Sequence, residues 1–485
     1  MTNFRTRPFT LTCLVGLAAA LAACSSSSPQ AAQTTDVTTT PVVLTLGFED
    51  IRATPGGRQI MHFVGQVNDL SEGQVTVDPQ WLSTGELSGH WEQRLGTQVS
   101  QGDVDLALVA TRAFDTLGVD SLRALNAPFL VTTTEMVNEI VTDENMSESL
   151  RSGLPDAGVV GIDLWPEGLR HPFGYGAPLL GPTDYEGALL RAPYSETNDA
   201  MFDAFGATTT MKDPDQTTQR GSESAYVWTP GGIATGNVTF YPKVNALVIN
   251  SKVRETLSDL QWDALSQAAA VTRDWVVRTA PDDAEEAAEY CSSGGRIAGA
   301  DPGQIRDLEK AAAPLTDQLS TDPDTADLVA DFQELKGALE APEPVTSCDQ
   351  DVDMASELNG TYQFVITPEG LHDAGVTKRG DINENSGRWT VVLENGSRTF
   401  RQKYSTGPKT GEVYREAGNY TYEDGRFTWF WSQDDGDWTA MDVTIGEDGS
   451  LTFTNIEEGL EPALLPLDKG IFSRWDRVDK SSKKG

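Results

Sequence analysis

One positive charge stands inside an apolar run. Residues 188–192 read Ala-Leu-Leu-Arg-Ala, and Arg191 lies two positions before Pro193 ends the strand pattern. A guanidinium at the end of a buried strand loses its hydration and recovers the loss only when an anion meets it. Its planar fork offers a carboxylate two charge-assisted hydrogen bonds, so the chemistry that fits Arg191 is carboxylate recognition. The bland alternative is a structural ion pair. Arg170 in LWPEGLRHPF is a second candidate cation, with packing on Trp165 or Phe173 as its ordinary reading. Three more candidates have plainer alternatives. Glu86 sits on the turn TGELSGH, Asn245 on the apolar run YPKVNALVIN, and Phe48 just past the first strand as an apolar wall.

Nothing in the sequence argues for bond making. There is no G-x-S-x-G elbow, no H-E-x-x-H and no cysteine beside a plausible base. The four histidines, His62, His90, His171 and His372, have no ligand spacing. We therefore expect a binding protein with no cofactor and no metal, not an enzyme.

The elements that must position Arg191 alternate. A strand over 42–47, a helix over 58–70 with apolar residues at helical spacing, a strand over 74–78, a helix over 90–100 and a strand over 104–110 imply a parallel sheet with crossover helices. Residues 115–127 and 133–150 are helical, and the strand over 158–162 leads the chain into a second lobe. Strands over 189–192 and 208–211 belong to that lobe. The run 240–250 returns toward the first, and two crossings make a hinge that a ligand can close. Strand ends in such α/β sheets open into ligand crevices. From 257 to 339 the pattern is helical, with Trp262, Leu265, Ala269, Trp275 and Val276 on one apolar face.

After Pro344 the composition changes to aromatic, Thr and Gly-rich hairpins with turns at Asn395-Gly396, Asp424-Gly425 and Asp448-Gly449. Seven or eight strands closing on themselves would remove unpaired edges, which predicts a small antiparallel β-barrel of the calycin or lipocalin kind. A two-sheet sandwich is the alternative.

The stretch 184–210 also resembles a family signature, the D-L-K-G-x-K-x-R-x-P motif of solute-binding subunits of TRAP transporters (DctP type). Asp184, Gly187, Arg191 and Pro193 match it, and Ala204, Phe205, Gly206 and Ala207 match the ALGA that follows. Trp165, Gly168 and Arg170 look like the family's W-x-x-G-x-R, and residues 73–109 resemble its strand, G-x-L-G turn, helix and V-x-x-G-x-x-D run. The resemblance implies a two-lobed periplasmic-binding-protein fold in which Arg191 pairs with a substrate carboxylate. It places Glu86 at the cleft mouth and gives as partners a small organic acid and TRAP-type membrane subunits. The family's L-Q-x-G-x-V-D-G segment is not recognisable in 213–230, where Tyr226 and Trp228 suggest a more aromatic cleft.

Targeting and charge complete the picture. Arg5 and Arg7, an apolar run over 9–20 and Leu21-Ala22-Ala23-Cys24 read as a secretory signal with a lipobox, so that Cys24 would carry lipid and tie the chain to the membrane's outer face. The run is shorter than the roughly 20 residues of a spanning helix. Expected boundaries are 1–24 for the signal, 25–40 for a tether, 41–345 for the two lobes and 346–480 for the β domain. With 36 basic and 73 acidic residues the 485-residue chain carries a net charge of -37, which repels nucleic acid and leaves anion capture to local cations. Cys291 and Cys348 suggest one disulfide, two buried free thiols being the alternative.

Overall fold

The computed structural model describes residues 40–85, 90–212, 218–228, 232–340, 343–348, 356–394, 396–423, 425–430, 438–458 and 473–478. The leader, Cys24, the tether and Glu86 lie outside them.

Strands β1 (Val42–Gly47), β2 (Val75–Gln80) and β3 (Leu106–Ala110) pair in parallel in the order β2-β1-β3. Helices Pro55–Leu70 and Trp91–Gln101 form the crossovers. The first helix starts before its apolar spacing does. Thr54 Oγ1 accepts from Gly57 N at 3.3 Å and Pro55 occupies the first turn, so the helix begins ahead of the expected residue 58. The expected helical stretches 115–127 and 133–150 are each divided. Residues 111–126 form two 3-10 helices, Thr111–Leu117 and Ser121–Asn126, parted at Gly118 with φ +84°. Residues 134–151 form helices Thr134–Thr142 and Glu144–Arg151, where extended Asp143 ends one and caps the other by accepting from Met146 N at 2.8 Å.

One 16-residue strand, β4 (Val159–Gly174), carries the chain across. In the second lobe β5 (Leu189–Arg191) pairs in parallel with both β6 (Thr208–Thr210) and β7 (Gly221–Ser224), and β7 runs antiparallel to β4. β8 (Ile233–Thr235) leads into β9 (Tyr241–Asn250), which lies antiparallel between β3 and β4. The sheet is therefore continuous in the order β2-β1-β3-β9-β4-β7-β5-β6. β10 (Arg296–Ala298) extends it beside β8. β9 is buried at every position, which explains its unbroken apolar pattern.

Helix Asp259–Thr279 packs on helix Pro55–Leu70 and β4, and helix Pro302–Leu319 packs on helix Glu196–Ala204. Leu265, Ala269 and Val276 are buried, as the apolar face required, whereas Trp275 stacks on His62 at 4.4 Å. Trp165 is fully buried and donates from Nε1 to Ala269 O at 3.3 Å. Truncating it to Ala would cost about 3–5 kcal/mol.

The last part of the chain is a closed barrel in sequence order: β11 (Gly360–Ile366), β12 (Gly387–Glu394), β13 (Ser397–Tyr404), β14 (Val413–Glu423), β15 (Arg426–Phe430), β16 (Trp438–Ile445), β17 (Leu451–Glu458) and β18 (Arg474–Arg477). β18 returns to pair with β11, so closure, and not a sandwich, removes the edges. Its interior holds Phe364 between Trp389 and Trp475, with ring centroids 5.7 and 5.4 Å away, together with Phe400, Phe427 and Trp429. Arg398 is buried there, 2.8 Å from Glu416 and 4.0 Å over the Trp429 ring. Eight strands leave an interior just wide enough for side chains, and aromatics fill this one. Cys291 of helix Asp283–Ser292 is disulfide-bonded to Cys348 ahead of the barrel, with Cα atoms 5.6 Å apart. Among the described residues no helix is long and apolar enough to cross a membrane.

Candidate ligand-binding site

Seven charged side chains collect where the strand ends of the two lobes meet. Glu49 follows β1, Glu92 opens helix Trp91–Gln101, and Arg112 follows β3. Glu167 and Arg170 lie on β4, Glu223 on β7 and Lys243 on β9, and all seven are buried. The backbone of β4 explains Glu167. The β4–β9 register runs Trp165 to Asn245 and Pro166 to Val244, then resumes at Leu169 with Pro242, so Glu167 and Gly168 bulge out. Gly168 has φ +74°, a conformation that favours glycine, and the bulge aims Glu167 at β9. There Glu167 accepts from Lys243 Nζ at 2.6 Å and from Asn245 Nδ2 at 2.6 Å.

The remaining pairs knit the lobes together. Arg112 donates from Nε and Nη2 to both oxygens of Glu92, at 3.1 and 2.7 Å, and its Nη1 lies 3.7 Å from Glu223 of the second lobe. Arg170 is 3.5 Å from Glu223 and 3.9 Å from Glu167. Nearby, Gln93 Nε2 donates to Tyr194 O at 2.8 Å and Ser195 Oγ donates to Asp115 Oδ2 at 2.6 Å. Ser195 also caps helix Glu196–Ala204, where the sequence placed its start.

Burial opposes charge on all these groups, and the pairs decide the outcome. For Glu92 the loss of solvation is outweighed by Arg112, and for Glu167 by Lys243 and Arg170, so both carboxyls stay below the ordinary range. Arg170 is held below the usual guanidinium value by burial, with Arg112 beside it adding to the effect. Glu49 has no ion-pair partner among the described residues, and burial, reinforced by Glu92 and Glu167 against Lys243, pushes it up to about 8.

Arg191 stands apart from this network. It ends β5, opposite Ser222 of β7, and its guanidinium lies 5.6 Å from the centroid of the Trp91 ring. Its Nε is buried without an acceptor, and among the described residues no carboxylate pairs with it. Several other buried atoms at the site also lack hydrogen-bond partners: Glu49 Oε2, Gln59 Oε1, Asn245 Oδ1 and Asn198 Oδ1. Such atoms in a polar interior mark where water or a ligand belongs.

The sequence candidates thus divide. Arg170 and Asn245 join the network, Arg170 through acids and Asn245 through Glu167. Phe48 is buried 6.2 Å from Trp81 and packs in the core of the first lobe. Glu86 lies outside the described residues. Tyr226 does not widen an aromatic cleft, since it packs with His171, Phe173 and Tyr290 beside the disulfide. Sequence reading missed Glu49, Glu92, Arg112, Glu167, Glu223 and Lys243. For Glu49, Arg112 and Lys243 the signal was the one used for Arg191, a charge inside or at the end of an apolar run.

Two α/β lobes joined by paired crossing strands, with a buried polar site at the strand ends, are the architecture of the two-lobed periplasmic-binding-protein fold. The particular fold is that of TRAP periplasmic solute-binding proteins, and residues 51–212 match the model of DctP, the bacterial extracellular solute-binding protein family 7. The protein of Ralstonia eutropha H16 with bound (S)-2-acetolactate superposes with a TM-score of 0.54 at 19% identity, covering 61% of this chain and 99% of that one. The Shewanella oneidensis protein with bound succinate gives 0.53 at 17%, covering 61% and 99%. The sugar acid binding protein of Advenella mimigardefordensis with galactonate gives 0.52 at 18%, covering 62% and 99%. In sequence, the uncharacterized protein y4mM of Sinorhizobium fredii is 26% identical over 166 residues, which is 34% of this chain and only 30% of that relative's length.

Proposed function

We propose that the chain is the extracytoplasmic solute receptor of a TRAP-type transporter, closing its lobes on a small organic carboxylate whose anionic end meets Arg191. The observation that carries this reading is the contrast among cations at the site. Arg112, Arg170 and Lys243 each lie within ion-pair distance of an acid, whereas Arg191 has an aromatic face and, among the described residues, no carboxylate within that distance. The structural neighbours support the substrate class, since three of them hold acetolactate, succinate and galactonate. The work is differential affinity of open and closed lobes, and no covalent step is needed. On this reading lipid on Cys24 holds the receptor at the membrane, residues 41–345 bind the solute and the β domain over 346–480 is an addition to the receptor. The alternative, in which the barrel carries the ligand, is weaker because aromatic side chains fill the barrel axis.

A thermal-shift screen of organic acids tests the reading, because a ligand that binds the native state raises its melting temperature by mass action. Calorimetry with the best acid should then give a much weaker dissociation constant for Arg191→Ala. An unchanged constant would remove Arg191 from the site.

A further inference from the structure

We propose that the solute carries an ammonium group in addition to its carboxylate, received by Glu49 on the first-lobe side of the site. This rests on the carboxylate reading of Arg191 and narrows it. Adjacent residues connect the two ends: Arg191 lies over the Trp91 ring, and Glu92, the next residue, is one of the two carboxylates whose charge reaches Glu49.

The argument is one of unmet acceptors. Among the site's four buried glutamates, Glu92, Glu167 and Glu223 already face Arg112, Lys243 and Arg170, and Glu49 alone has no base within ion-pair distance, Lys243 acting on it from further off. Glu49 is 4% exposed and its Oε2 has no hydrogen-bond partner. Two further buried acceptors flank Glu167, whose charge reaches Glu49. Asn245 spends Nδ2 on Glu167, and Gln59 spends Nε2 on Pro166 O at 2.8 Å, leaving Asn245 Oδ1 and Gln59 Oε1 without donors. An ammonium brings three donors and one positive charge, and so can answer a buried acid that has no ion pair as well as orphan acceptors beside it. A hydroxyl brings one donor and no charge. A second carboxylate brings no donor and adds a fourth buried negative charge beside Glu92 and Glu167. The charged groups around Glu49 are Glu92 from helix Trp91–Gln101, Glu167 from β4 and Lys243 from β9, and Arg58 of helix Pro55–Leu70 faces Glu167. In the empty site burial keeps Glu49 protonated at neutral pH, and an arriving ammonium would displace that proton.

The test uses the full soluble chain and matched acids of three to six carbons bearing a terminal ammonium, hydroxyl, carboxyl or methyl group. Calorimetry should find, for at least one skeleton, the ammonium member binding at least tenfold tighter than its counterparts. Glu49→Gln should abolish that margin, and Arg191→Ala should weaken every member. If the hydroxyl or carboxyl members bind as tightly on every skeleton, or the margin survives Glu49→Gln, the ammonium inference falls and the carboxylate reading stands. If no acid binds, both fall. Should Glu49→Gln fail to fold, the wild type decides: ammonium binding near pH 7 must release about one proton, read as a heat that varies with the ionisation enthalpy of the buffer, and hydroxy acids must release none. A buffer-independent heat for the ammonium member would overturn the assignment of Glu49.

Discussion

The Arg191 guanidinium lies over the indole of Trp91, 5.6 Å from its centroid, and contributes no hydrogen bond from its buried Nε. An aromatic face supports a cation without neutralising it, so the charge remains available to an incoming anion. The surface as a whole, at net -37, does not attract one.

Replacing Arg191 should therefore act on binding far more than on folding. Arg191→Ala should weaken carboxylate binding by about 2–5 kcal/mol, the usual effect of truncating one side of a buried charge pair. Arg191→Lys should recover only part of it, because an ammonium cannot present the planar fork. Calorimetry measures the binding, and an unchanged urea midpoint would confirm that the loss is local.

The Arg112 cluster should behave in the opposite way. Arg112→Met removes the partner that holds the Glu92 carboxylate ionised in a buried place, and breaks the 3.7 Å approach to Glu223 across the lobes. The expected loss is about 3–5 kcal/mol of unfolding free energy. The double change Arg112→Met with Glu92→Leu should restore much of it, since well-packed apolar groups often replace a buried pair without loss. Urea unfolding of the three proteins checks this.

What the sequence made legible follows from period and chemistry. Arg191 was visible because one charge broke a short apolar strand, and the eight barrel strands were visible because alternation and Gly-containing turns mark hairpins. The path of β4 was not. Its 16 residues include Pro166, Gly168 and Pro172, which read as breaks, yet a bulge at Glu167 and Gly168 absorbs the irregularity while β9 and β7 hold either side. β7 was invisible for another reason. Gly-Ser-Glu-Ser has no apolar residue, and only pairing to β4 and β5 makes it a strand. Glu223 was lost with it, and so was the acid that answers Arg170.

The disulfide joins Cys291 to Cys348 across a separation of 57 residues. On the chain-entropy account a loop of that size restricts the unfolded chain by about 4 kcal/mol at 25 °C. Cys291→Ser with Cys348→Ser should lower unfolding free energy by about 2–4 kcal/mol, and reductant should do the same to the wild type but nothing to the variant. Binding through Arg191 should survive, because both cysteines belong to the cluster around Tyr226 and Tyr290 and not to the charged network.

The last prediction concerns pH and turns on Glu49. Its folded value is raised from 4.5 to about 8, so between those limits the native state keeps a proton that the unfolded chain has released. Stability from this group is complete below about 4.5 and declines as pH rises through its folded value. Glu286, raised to about 7 by burial and by Asp283, acts with the same sign, as does His171, whose burial penalty is overcome by Asp283 at 2.8 Å. Glu92 and Glu167, both lowered, act with the opposite sign, and their contribution disappears only at more acid pH. The ligand-free protein should therefore be less stable at pH 8.5 than at pH 5.5. Glu49→Gln cannot take up the proton, and the decline between those values should become shallower by on the order of 2 kcal/mol. Urea unfolding at pH 5.5, 7 and 8.5 measures both slopes; parallel curves for the two proteins would mean that Glu49 is already ionised in the empty site.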